Sequence, residues 1–300
     1  MNLLKWNAMA LVVLAACGRA YADGPVKFTP VRSIYTDGKN VGLAQPEGVG
    51  CGIGSVLVVA DPGNGRVLQY GLDNDSNVPV KEIKLPQVPF PIRAQMNLKG
   101  EILALDGKSR RIARISPAGE FAGFVDIAGA APGAVVARSF AIDDKDNIHI
   151  LDIYSGRVLS AGPSGNFLGE VPFPARHGFI SDVMVDSSGT VYLVDSVEGK
   201  LYSARKDSKE FSLLSKSLKE YCDFPVGLAA DRKGHIFVVD KNGSRIVILG
   251  RDGSFQGQQL GMGWKEGLLR YPSQICVSGG GELIIADSGN NRVQIFSVSE

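Results

Sequence analysis

One recurrence limits what this chain can fold into. Six times an apolar run ends in aspartate: Val58-Val59-Ala60-Asp61, Leu103-Ala104-Leu105-Asp106, His149-Ile150-Leu151-Asp152, Tyr192-Leu193-Val194-Asp195, Phe237-Val238-Val239-Asp240 and Ile284-Ile285-Ala286-Asp287. The aspartates stand 45, 46, 43, 45 and 47 residues apart, and a cation follows each by five: Arg66, Arg111, Arg157, Lys200, Arg245 and Arg292. A fixed period of this length means one supersecondary unit repeated, each unit burying its faces against its neighbours.

Each unit reads as four short strands. An apolar segment such as Val226-Gly227-Leu228-Ala229-Ala230 comes first, then a tight turn such as Arg232-Lys233-Gly234 or Gly279-Gly280-Gly281. The second strand ends at the aspartate, and a polar turn such as Ser288-Gly289-Asn290-Asn291 leads to a third strand that starts at the cation. A further turn and strand follow, as at Asp252-Gly253-Ser254-Phe255. Val- and Ile-rich runs bounded by Gly, Asn, Asp and Ser are strand and hairpin signals. The 37 glycines suit a fold of many tight turns. Only Ser212–Glu220 suggests a short helix. Four strands per unit of about 45 residues match a propeller blade. The expectation is an all-β, six-bladed β-propeller forming a single domain over residues 26–300. The last unit ends after its third strand, and a spare segment from Val26 to Tyr35 precedes the first. That segment is expected to supply the outer strand of the sixth blade, closing the ring and covering an exposed edge.

The unit Ile285-Ala286-Asp287-Ser288-Gly289-Asn290-Asn291-Arg292-Val293-Gln294-Ile295-Phe296 resembles an NHL repeat, as does Val59-Ala60-Asp61-Pro62-Gly63-Asn64-Gly65-Arg66-Val67. The resemblance spans about residues 46–298, with blades two to four more degenerate. It implies a six-bladed propeller, in agreement with the count of units. It does not imply one activity: the family includes interaction modules, RNA-binding modules and a lyase.

The N-terminus begins with Met1 to Lys5, followed by an apolar run from Ala8 to Ala16. This is an export signal, too short to span a bilayer, which takes about 20 apolar residues. Two cleavage readings stand. Leu14-Ala15-Ala16-Cys17-Gly18 resembles a bacterial lipobox with Cys17 lipidated; Ala20-Tyr21-Ala22 is an ordinary A-x-A site that ends the signal at residue 22. Both place the protein outside the cytoplasm, as a periplasmic, lipid-anchored or secreted protein. Cys51, Cys222 and Cys276 remain; export permits a disulfide, and three thiols allow at most one within the chain. Buried free thiols are the equal alternative.

Thirty-two Lys and Arg against 31 Asp and Glu give a formal charge of +1. Nucleic acid is therefore not an expected partner, since its backbone selects basic surfaces. The repeat pairs Asp61–Arg66, Asp106–Arg111, Asp152–Arg157, Asp195–Lys200, Asp240–Arg245 and Asp287–Arg292 read as structural. The aspartate would accept N–H groups of the following turn, and an exposed pair of this kind adds only ~0–1 kcal/mol.

Ligands of a propeller are expected at the mouth of the central channel, near the starts of the innermost strands. Fourteen or thirteen residues before the repeat aspartates stand Glu47, Arg93, Arg138, Ser181 or Asp182, Val226, and Ser273 or Gln274, with His177 just before the fourth set. Arg93 and Arg138 would suit a carboxylate or phosphate. The alternative is a solvated loop rim.

The family's lyase, peptidyl-hydroxyglycine lyase, implies a zinc held by histidines at these positions. This chain has three histidines, and only His177 stands at such a place, so a three-histidine zinc site is not supported. Lactonase-like propellers imply calcium at the channel, to which Glu47 and Asp182 would contribute, but calcium takes six or more oxygens. Gly48 to Gly52 is a poor phosphate loop, because no helix follows it. Asp143-Asp144-Lys145-Asp146-Asn147 reads as a hairpin turn rather than a calcium loop. Phe28, Phe121, Phe167, Phe255 and Phe296 read as inter-blade core. The functional expectation is a monomeric binding or scaffold propeller of the cell envelope, with a protein, peptide or small-ligand partner and no cofactor assigned. The competing expectation is a metal-dependent lyase or hydrolase using calcium or zinc at Glu47, Asp182 and His177.

Overall fold

The structure, a computed structural model, describes residues 26–52, 54–73, 78–129 and 134–300. Residues 1–22, read in the sequence as an export signal, and Cys17 within them lie outside the described residues. Among the described residues, twenty-four strands form six four-stranded antiparallel sheets. Blade 1 is β2 (Gly48–Gly52), β3 (Val56–Asp61), β4 (Arg66–Gly71) and β5 (Lys81–Ile83). Blade 2 is β6 (Pro91–Met96), β7 (Ile102–Asp106), β8 (Ile112–Ile115) and β9 (Phe121–Phe124). Blade 3 comprises β10 (Ala137–Ile142), β11 (Ile148–Asp152), β12 (Arg157–Ala161) and β13 (Phe167–Pro172). Blade 4 comprises β14 (Ile180–Val185), β15 (Val191–Asp195), β16 (Lys200–Ala204) and β17 (Ser212–Ser215). Blade 5 follows as β18 (Pro225–Ala230), β19 (Ile236–Asp240), β20 (Arg245–Leu249) and β21 (Phe255–Gln259). Blade 6 has β22 (Gln274–Val277), β23 (Leu283–Asp287) and β24 (Arg292–Ser299), with β1 (Lys27–Ile34) as its outer strand.

The closure expected from the spare N-terminal segment is present. β1 pairs antiparallel with β24, from Lys27 opposite Ser299 to Ile34 opposite Val293. The helix suggested at Ser212–Glu220 is absent. Ser212–Ser215 is strand β17, paired with β16, because a blade needs a fourth strand and this segment has the edge to fill.

Up to the repeat aspartate, and apart from His149 in β11, the second strands are apolar because both faces of a blade are covered. Along β3, Leu57 and Val59 pack toward blade 6, while Val58 and Ala60 pack toward blade 2. That follows from the two-residue period of a strand. Six apolar clusters fill the six spaces between neighbouring blades. Phe28 and Phe296 are buried there, and Phe121 and Phe167 pack partly buried against it. Phe255 differs: it is exposed, stacked on Tyr221 with ring centroids 3.8 Å apart.

The glycine-rich segment at Gly48–Gly52 is the innermost strand of blade 1. A side chain at Gly50 would collide with the backbone carbonyl of Ala94 in blade 2, so glycine permits this close approach. Cys51 and Cys276 form a disulfide with Cα atoms 5.8 Å apart, linking β2 of the first blade to β22 of the last. Cys222 is a buried free thiol, and burial pushes its pKa above the ordinary value.

Candidate functional site

The repeat aspartates build the mouth of the channel. Each accepts backbone N–H groups of the loop leading into its own blade: Ala44, Phe90, Val136, Gly178 with Phe179, Asp223 with Phe224, and Arg270, at 2.6–3.1 Å. Several also accept from the following turn, as Asp106 does from Ser109 and Asp195 from Glu198. Each carboxylate thus clamps the loop that delivers the first residues of an inner strand.

Four of the six expected pairs form. Nε of Arg66, Arg157, Arg245 and Arg292 donates to Asp61, Asp152, Asp240 and Asp287 at 2.7–3.2 Å. The side chains of Arg66 and Arg292 are 1% and 2% exposed, so these are buried pairs rather than rim pairs. In blade 2, Arg111 lies over the Phe124 ring at 3.5 Å instead. In blade 4, Lys200 turns to Glu198 at 3.1 Å. A lysine lacks the planar fork that lets arginine bridge its aspartate and a second group.

Four of the six inner strands bulge where they begin. The register of β6 against β7 skips Ile92, and equivalent skips fall at Arg138, Ser181 and Val226. A bulge redirects a side chain out of the alternating pattern. These four residues, with Glu47 and Ser273 at the same register in blades 1 and 6, line a cavity of about 150 Å³. The cavity also takes in Arg93, Ser139, Asp182 and Gln274 from the next position along, and Phe224 and Lys241.

The second set is largely committed within the protein. Arg93 Nη1 donates to Asp182 Oδ1 at 2.6 Å, and the Ser139 hydroxyl donates to the same oxygen at 2.5 Å. Asp182 Oδ2 accepts the Leu228 N–H at 3.0 Å. One carboxylate in blade 4 therefore binds blades 2, 3 and 5. Gln274 Oε1 accepts the Val49 N–H at 3.0 Å, joining blade 6 to blade 1. Ser273 Oγ donates to the Glu47 carbonyl at 2.8 Å.

Among the described residues, Arg138, Lys241 and Glu47 make no ion pair. Arg138 lies over the Phe179 ring at 4.9 Å. Burial lowers its pKa from the ordinary value, nearby Arg110 lowers it further, and Glu47 and Asp182 act against this. Burial likewise lowers that of Arg93, opposed by Asp182. The Arg93 Nε is buried without a hydrogen-bond partner. Three cations thus face two carboxylates in this mouth, and one carboxylate is already engaged.

Glu47, Arg93, Arg138, Asp182 and Gln274 are therefore brought together, as their register predicts. His177 is not among the lining residues. It stands exposed on the loop before β14, with Nδ1 2.7 Å from the Pro174 carbonyl and its ring edge-on to Phe173. Among the described residues no three His, Cys, Asp or Glu side chains are gathered to hold a metal. Of the three residues offered to zinc or calcium, Glu47 and Asp182 share the cavity, His177 lies apart from it, and Asp182 is engaged by Arg93, Ser139 and the Leu228 N–H. Lys241 was missed by counting back from the aspartates. It directly follows Asp240, where the other units carry Pro62, Gly107, Ile153, Ser196 and Ser288.

The NHL repeat model matches residues 223–249 and 269–296, in blades 5 and 6. The chain carries NHL repeats and folds as a six-bladed β-propeller. Solved structures share the fold. A streptogramin B lyase is 11% identical, with a TM-score of 0.64, over 94% of this chain and 100% of that one. Virginiamycin B lyase from Staphylococcus aureus is 13% identical, with a TM-score of 0.62, over 91% of this chain and 88% of that one. A gluconolactonase from Xanthomonas campestris is 15% identical, with a TM-score of 0.66, over 92% and 95%. Identities this low establish a common architecture and leave activity to the site itself. A search of curated proteins finds no match.

Proposed function

We propose that this is an exported binding propeller that holds a small anionic ligand, or the anionic end of a larger partner, at the mouth of its channel. The observation that carries the reading is the pair Arg138 and Lys241, which line the mouth without an ion-pair partner among the described residues while Asp182 occupies Arg93. Guanidinium and ammonium groups in a partly buried setting favour carboxylate or phosphate, because the low local dielectric strengthens the attraction. The cavity, about 150 Å³, suits one such group rather than a large molecule. Export is supported by the Cys51–Cys276 disulfide, a bond that persists in oxidising compartments.

Calorimetric titration with inorganic phosphate and with succinate tests the reading. Binding is expected for the wild type and lost in Arg138→Gln with Lys241→Gln. Absence of binding by the folded wild type, or undiminished binding by the double variant, would refute it.

A further inference from the structure

Away from the channel, a solvent-open cavity of about 310 Å³ lies between blades 3 and 4. His149 on β11 faces Ser160 on β12, its cross-strand partner, with Nδ1 2.9 Å from the hydroxyl oxygen. Its other nitrogen, Nε2, lies 3.5 Å from Asp143 Oδ2. All three residues line the cavity. The hairpin turn read in the sequence at Asp143–Asn147 holds the carboxylate in place. Asp143 accepts the Lys145 N–H at 2.9 Å, the Asn147 N–H at 2.8 Å and the Asn147 side-chain amide at 2.8 Å. Burial works to raise its pKa, but the hydrogen bonds from His149 and Asn147 outweigh it and hold the carboxyl well below its usual range.

The propeller scaffold does not demand this trio. At the register of His149 the other blades carry Val58, Leu103, Tyr192, Phe237 and Ile284. At that of Ser160 they carry Gln69, Arg114, Ser203, Ile248 and Ile295. Among the described residues, histidine and serine pair across strands only here. A hydroxyl, an imidazole and a fixed carboxylate in line are the parts of an activated nucleophile, defined by geometry rather than by fold.

We propose that this cavity is a serine-nucleophile site that hydrolyses short carboxylic esters. With the imidazole proton on Nε2 toward Asp143, Nδ1 is the base. Ser160 Oγ bonds to the ester carbonyl carbon as its proton passes to His149 Nδ1. Collapse of the tetrahedral adduct breaks the bond to the alkoxy oxygen, which leaves as alcohol with that proton. Water then attacks the acyl carbon, gives a proton to His149, and the proton returns to Ser160 as the acid departs. Ester and water become acid and alcohol, and the protein is restored. Lys145, Lys206 and Lys209 line the cavity and bring positive charge for the developing oxyanion, while Leu168 and Val191 offer an apolar wall for the acyl chain.

The test is incubation of the folded protein with a fluorophosphonate, which phosphonylates an activated serine with loss of fluoride, followed by peptide mapping. Hydrolysis of p-nitrophenyl butyrate is measured in parallel. Labelling at Ser160 is expected. Ser160→Ala should abolish both signals, and His149→Asn should slow both by roughly 100-fold, the lower range of a positioned base. Ser203→Ala, at the same register in blade 4, should change neither. The thermal midpoint of each variant separates lost chemistry from lost folding. An unlabelled Ser160 in the folded wild type, or full hydrolysis by a folded Ser160→Ala protein, would overturn the proposal.

Discussion

Arg93 and Asp182 meet at 2.6 Å although they stand on the inner strands of blades 2 and 4, with blade 3 between them. Their side chains are 10% and 2% exposed, so the contact is desolvated. Removing one partner from such a pair leaves a buried charge without compensation.

Asp182→Ala should therefore cost about 3–5 kcal/mol in urea unfolding. It deprives Arg93, Ser139 and the Leu228 N–H of their acceptor together. The double change Arg93→Met with Asp182→Leu should recover much of that loss, because neither charge then remains buried alone. If Asp182→Ala unfolds at the wild-type midpoint, the channel is not held this way.

The Cys51–Cys276 disulfide closes 225 residues of chain across the junction of the first and last blades. Double substitution to alanine should lower stability by about 2–5 kcal/mol. Peptide mapping of the non-reduced protein should recover Cys51 bonded to Cys276, with Cys222 as a thiol.

The repeat cations should divide by blade. Arg292→Ala should be severe, about 3–5 kcal/mol, because it exposes no solvent to Asp287 and removes donors to the Trp264, Lys265 and Leu268 carbonyls. Arg111→Ala should cost only about 0.5–1 kcal/mol, the worth of its stacking on Phe124. Lys200→Ala should leave the thermal midpoint nearly unmoved. Equal losses at all three positions would contradict the blade-by-blade account.

Glu82 extends the Arg66 network in blade 1, at 3.0 Å from Nη1. Hydrogen bonds from Arg66 and then Lys84 draw its pKa down from 4.5 to about 2. A carboxyl depressed in the folded state adds stability above its unfolded value and loses it as pH falls through the folded one. The wild type should therefore lose stability between pH 4.5 and about 2 more steeply than Glu82→Gln. Parallel acid-unfolding curves would count against this.

The sequence carried the architecture because the Asp–cation register recurs in every blade and the Val26–Tyr35 segment had one open edge to fill. It also placed Glu47, Arg93, Arg138, Asp182 and Gln274 at one mouth. It did not show how their charges are spent: that Asp182 engages Arg93 across a blade depends on side-chain reach around a closed ring. The bulges that turn Arg138 and Ser181 into the cavity leave no mark in composition. Cys51 and Cys276 are distant in sequence, yet they occupy the inner strands of blades 1 and 6, which ring closure makes neighbours. Lys241 was legible as the only cation directly after a repeat aspartate. His177 showed the opposite failure, since a residue just before an inner strand sits in a loop whose path the strand register does not fix.

The most direct test of the mouth as an anion site is a crystal of the protein soaked in selenate, with data collected at the selenium edge. The account predicts an anomalous peak within hydrogen-bond reach of both Arg138 and Lys241. An empty mouth, with selenate bound at surface cations elsewhere, would contradict it.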